Sequence, residues 1–107
     1  MDIRYYVGAS GEQPFAEWFA DLDSVASAKI VRALAQIEQG NLSNVKSVGE
    51  GVLEFRIYFG PGYRIYFARD GETIVVLLTG GTKKRQQRDI DKDAYWRDHK
   101  RGKRGRD

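Results

Sequence analysis

Five residues in the middle of the chain have the types and spacing to hold an anion. Glu54, Arg56 and Tyr58 are two apart, as are Arg64 and Tyr66. Successive side chains of an extended strand point to opposite faces, so each set shares one face. On neighbouring strands Arg56 and Arg64 come within reach of one shared anion. Two guanidinium groups side by side repel, and a carboxylate or phosphate between them relieves the repulsion. Either Glu54 is a purely structural counter-ion, or the group grips a phosphate. A second basic cluster follows in Gly80-Gly81-Thr82-Lys83-Lys84-Arg85. Three cations at a helix start, where the macrodipole already favours anions, suit a phosphate, although an ordinary basic surface has the same composition. The spacing is not that of a P-loop.

Composition narrows the chemistry. The chain has 107 residues, 41% hydrophobic, 12% aromatic and 31% charged, which fits one small globular core. It has no cysteine and one histidine, His99, which excludes a thiol nucleophile, a disulfide scaffold and a multi-histidine metal site. No apolar run approaches the ~20 residues of a membrane span and MDIRYY is no signal peptide, so a cytoplasmic location is expected. The net charge of +3 is polarised. Residues 1–54 carry 4 Lys and Arg against 8 Asp and Glu, and residues 55–107 carry 14 against 7. A basic half of this kind suits a polyanionic partner.

The elements that must position these groups follow from periodicity. Residues 2–7 read as a strand. Pro14 suits a first helical turn, and Phe15, Trp18, Phe19 and Leu22 then form one helical face. Asp23 and Ser24 can cap a second helix with Ala26, Ile30, Ala33, Leu34 and Ile37 on its stripe, stopped by Gly40. From Lys46 the period becomes 2. Strands are predicted over 52–59, 63–69 and 73–79, joined by Gly60-Pro61-Gly62 and Asp70-Gly71. A three-residue first loop places Phe55 opposite Phe67 and Arg56 opposite Tyr66, with Arg56 and Arg64 diagonal. A two-residue second loop pairs Arg69 with Glu72 and Phe67 with Ile74. Val75, Leu77 and Thr79 then back the charged face, making it a partly covered groove. A third helix over 83–98 would use a thin stripe of Ile90 and Ala94. The KRGKRGRD segment, 100–107, is expected to be a disordered basic tail after a domain spanning 1–99.

The segments LEFR, GPGYR and LLTGG-x-K-x-x-Q, within the run from Gly51 to Ile90, resemble the RelE/ParE superfamily of bacterial type II toxins. Within it they resemble the HigB-like addiction module killer branch, related to phage Gp49-like proteins. The resemblance covers about residues 3–97. It implies an α+β fold of order β-α-α-β-β-β(-α), with an antiparallel sheet packed on an N-terminal helical hairpin and its other face open. It also implies a toxin that cuts mRNA in the ribosomal A site, needs no metal or other cofactor, and is neutralised by an antitoxin, usually a helix-turn-helix protein.

By the same resemblance Arg64 matches the family's phosphate-binding arginine, Arg56 and Glu54 fall where relatives place charged catalytic residues, and Lys83 matches a basic residue after the last strand. Metal-free RNA cleavage can use the 2′-OH as nucleophile, with the protein supplying alignment, charge stabilisation and proton traffic. In that scheme Arg64 and Arg56 clamp the scissile phosphate, and Glu54 is the candidate base. Lys83 is a second phosphate contact or the leaving-group acid. Tyr66 and Tyr58 are candidate RNA contacts, Tyr66 orienting Arg56 or stacking on a base. Lys84, Arg85 and Arg88 hold RNA backbone. Two readings compete with an endoribonuclease: a ParE-like inhibitor of DNA gyrase, and a non-catalytic binding protein with a basic groove.

Overall fold

Helix α1, Pro14–Ala20, opens with proline in its first turn and buries Phe15. Helix α2, Ser24–Glu38, starts at Asp23, whose carboxylate accepts from the Ala26 N–H at 2.8 Å. Its buried stripe is Ala26, Ile30, Ala33 and Ile37, as the helical period predicts. The helix ends at Gly40, whose φ of +80° suits glycine, and the Asn41 N–H returns to the Gln36 carbonyl at 2.9 Å.

These helices pack on a five-stranded sheet. The computed structural model describes residues 1–82 and 89–105. The strands are β1 (Asp2–Tyr5), β2 (Val45–Ser47), β3 (Val52–Ile57), β4 (Tyr63–Asp70) and β5 (Ile74–Thr82), and a third helix, α3, spans Asp89–Gly105. The sheet order is β1-β5-β4-β3-β2. Neighbours pair antiparallel except β1 and β5, which are parallel, with Ile3 opposite Val75. The architecture is therefore α+β with a mixed sheet, not a wholly antiparallel one. The parallel contact is possible because α1, α2 and three strands lie between β1 and β5 in the chain, so no hairpin ties their directions. Strand β2 has no counterpart in the sequence reading; it is three residues long and half exposed, too short for a period to declare itself.

The sheet divides the interior in two. Under α1 and α2 lie Phe55, Tyr63, Ile65, Phe67, Val75 and Leu77, with Trp18, Phe19, Leu22 and Leu34 packed against them. On the opposite face lie Val52, Tyr66, Ala68, Val76 and Leu78, covered by Tyr6 and by Trp96 of α3. That face is thus not open, as the resemblance implies, but carries a helix. Of the predicted stripe of α3, Ala94 is exposed and the side chain of Ile90 lies outside the described residues, as does the predicted start over 83–88; the covering residues are Lys92, Tyr95, Trp96 and His99. Spacing of three, four and seven puts these four on one side. Their polar members disguise the stripe. Helix α3 runs on past residue 99 to Gly105, through most of the segment expected to be a disordered tail.

Both hairpin registers differ from the predicted ones. Between β3 and β4 the connection is Tyr58–Gly62, with Ile57 opposite Tyr63 and Phe55 opposite Ile65. The turn closes with the Gly62 N–H donating to the Phe59 carbonyl at 3.0 Å, and Gly60 and Gly62 take φ of +56° and +80°. The displacement is by two residues, so every side chain keeps its predicted face. Between β4 and β5 the turn is Gly71-Glu72-Thr73, with Asp70 opposite Ile74 and Phe67 opposite Leu77. That shift is odd. It moves Val75 and Leu77 onto the α1–α2 side and Val76 and Leu78 onto the other. The run Ile74–Leu78 is apolar throughout, as befits a central strand buried on both faces, so alternation carried no orientation. A bulge at Leu78 then places Thr79 opposite Tyr66 and Gly80 opposite Ile65.

Candidate functional site

Strands β3 and β4 set Arg56 directly opposite Arg64, closer than the diagonal placement predicted, and Glu54 opposite Tyr66. All four share the α3 side of the sheet. Glu54 is buried, at 3% exposure, and each of its oxygens faces an arginine. Arg56 donates from Nε to Glu54 Oε1, and an Arg64 terminal nitrogen lies 3.6 Å from Oε2. The sequence predicts a clamp of two guanidiniums on one anion. The structure brings the residues together and places Glu54 between the two guanidiniums.

Each guanidinium has a second tie. Hydrogen bonds to Glu54 and then to Tyr58 raise Arg56 above the ordinary arginine value. For Arg64 the hydrogen bond to the Tyr66 hydroxyl is the leading cause of a rise, opposed by desolvation and supported by the Glu54 charge. Both groups are therefore fixed cations. The side chain of Arg56 is 38% exposed and that of Arg64 16%, so the pair lies at the edge of the covered region with part of its surface turned to solvent. An incoming phosphate can meet donors not directed at Glu54.

The remaining predicted residues separate. Tyr58 is 88% exposed on the β3–β4 turn, its hydroxyl tied to Arg56 and its ring turned to solvent, where it can stack on a flat ligand. Tyr66 is 2% exposed. Its ring is a wall of the site with no face available to a base, and it bonds Arg64 where the sequence reading had it orienting Arg56. Lys83, Lys84, Arg85 and Arg88 lie outside the described residues. His99 sits at the other end of β4, its Nε2 3.2 Å from Asp70, and its ring stacks on Trp96. Six residues of extended strand separate Asp70 from Arg64, about 20 Å. One functional candidate escaped the sequence reading altogether. Lys92 of α3 is 9% exposed, with its ammonium 5.5 Å from the Tyr66 ring centroid. The 92-95-96-99 spacing is the signal that could have found it.

Among the described residues no group of three His, Asp or Glu is placed to hold a metal ion, and no helix is long and apolar enough to cross a membrane. A Haemophilus influenzae protein named only as uncharacterized is 39% identical over 77 residues, covering 71% of this chain and 78% of its own. The phage-derived Gp49-like family (DUF891) matches residues 17–95, which takes in the end of α1, all of α2, the site strands and Lys92. The chain belongs to this Gp49-like family, whose members are associated with the toxins of toxin–antitoxin systems.

Proposed function

We propose that the protein is a toxin of the RelE-like, HigB-related kind, an endoribonuclease that cuts mRNA on the ribosome and is held in check by a helix-turn-helix antitoxin. The observation that carries this reading is the arginine pair itself: Arg56 and Arg64 face each other across two strands, braced by a buried carboxylate and partly open to solvent. A gyrase inhibitor has no need of such a pair.

In the reaction the 2′-oxygen of RNA bonds to the adjacent phosphorus and the bond to the 5′-oxygen breaks. The products are a 2′,3′-cyclic phosphate and a 5′-OH end. The 2′-OH proton passes to solvent water, and the leaving oxygen takes one from Lys83 or from water. Arg64 and Arg56 hold the two non-bridging oxygens and stabilise the charge that grows on them. Glu54 has a different role from the base that the sequence suggests. It is buried, and both its oxygens are engaged with cations, so it orients the clamp. Tyr58 stacks on a neighbouring base. Lys83 is the second phosphate contact or the acid for the leaving oxygen, and Lys84, Arg85 and Arg88 bind RNA backbone. Arg64→Ala should lower cleavage of translated message, per folded molecule, by about 10²–10³, and should also lower the melting temperature, because the buried Glu54 loses one of its two cations. Mapping of 5′-OH ends after brief expression reads the effect. Unchanged cleavage would overturn the scheme, and gyrase-dependent DNA breaks with intact message would replace it.

A further inference from the structure

Helix α3 is fastened to the sheet at several points. Tyr6 donates to Asp98 at 2.6 Å and stacks on Tyr95 at 5.0 Å between ring centroids. His99 meets Asp70, and the Trp96 indole lies so close over Gly51 that a Cβ there would stand 3.0 Å from its nitrogen. One turn before Trp96 the fastened helix carries Lys92 inward. Burying an ammonium is costly, and an apolar residue would cover this face at less expense. The retained charge stands over the face of Tyr66, the position in which a ring quadrupole attracts a cation. The same tyrosine bonds Arg64 through its hydroxyl. Lys92, Tyr66 and Arg64 thus form a continuous line from α3 to the clamp.

We propose that Lys92 is a positioning residue of the cleavage site: by holding Tyr66 from its ring face, it fixes the Arg64 guanidinium in the orientation that receives the phosphate. This rests on the nuclease reading for its kinetic consequence, though not for its structural one. Lys92 does not touch the RNA. It acts on the rate at which bound RNA is cut.

The test compares Lys92→Met, which keeps the length and removes the charge, with Lys92→Arg, which restores a cation over the ring. Lys92→Met should lower kcat roughly tenfold with KM within about twofold, and Lys92→Arg should recover most of the loss. In a Tyr66→Phe background, which lacks the hydroxyl link, Lys92→Met should have little further effect. Hydrogen exchange of the Arg64 Nε–H, followed by NMR in the RNA-free protein, should quicken in Lys92→Met and return to the parent rate in Lys92→Arg. Unchanged Arg64 exchange in a folded Lys92→Met protein overturns the proposal, as does a loss confined to KM or to melting temperature. If the parent protein cuts no RNA while the Arg64 exchange still responds, the nuclease reading fails and the positioning role stands.

Discussion

The sheet face under α1 and α2 buries Phe55, Ile65, Phe67, Val75 and Leu77 against apolar helix stripes, whereas the face under α3 sets Glu54, Arg64 and Tyr66 beside Val52, Val76 and Leu78. The first is held by area removed from water, which has no direction and tolerates small displacements. The second adds to a smaller apolar cluster hydrogen bonds, the two ion pairs of Glu54 and a ring–cation contact, each of which fails outside a narrow geometry. Stability should therefore be concentrated on one side of the sheet and activity on the other.

The largest effect expected from this division is on the helical side. Phe67→Ala removes a fully buried ring between the sheet and the helices and should cost about 3–5 kcal/mol in urea unfolding. The fraction that stays folded should cleave at the parent rate. A lowered rate per folded molecule would break the division. Next comes Gly80→Ala. A Cβ at Gly80 would lie 2.1 Å from the Trp18 ring, so the indole must move, at about 1–3 kcal/mol. Quenching or shift of Trp18 fluorescence at unchanged fold reports the displacement.

On the α3 side the expected losses are in function. Glu54→Gln keeps an acceptor for the Arg56 Nε–H but removes the charge shared with Arg64. Cleavage should fall roughly tenfold, short of the about 10²–10⁴ that loss of a general base costs. A larger loss, accompanied by disappearance of the acidic limb of the pH–rate profile, would return the base role to Glu54. Smallest of all is Tyr6→Phe, which removes the bond to Asp98 at about 1 kcal/mol. Burial, then the Asp98 bond, raises the Tyr6 phenol above its ordinary value of about 10. Its contribution is complete below pH 10 and declines above it, because the unfolded chain gives up the proton first. Unfolding free energy should fall above pH 10 in the parent and more gently in Tyr6→Phe.

The same division decides how much was legible in the sequence. Helices α1 and α2 were, because Phe15, Ala26, Ile30, Ala33 and Ile37 recur at a helical period with a proline start and an aspartate cap. So was the shared face of Glu54, Arg56, Arg64 and Tyr66, because an even register error leaves parity intact. The orientation of β5 was not, since five consecutive apolar residues look alike from both sides. The covering stripe of α3 was hidden as well. Lys92 and His99 are polar by type and earn burial only through partners far off in the chain, a tyrosine ring and an aspartate.

The bulge at Leu78 gives strand β5 one residue more than β4 needs at this point, which makes it a place where a change in length can be absorbed. Upstream of it, odd-numbered residues look toward α1 and α2; downstream, Gly80 does. Deleting Leu78 would join Leu77 to Thr79 in unbroken alternation, with Thr79 still opposite Tyr66 and Gly80 still opposite Ile65. The loss would fall on the apolar cluster under α3, which would be without the fully buried Leu78 side chain. The arginine clamp, one strand away, would keep its register.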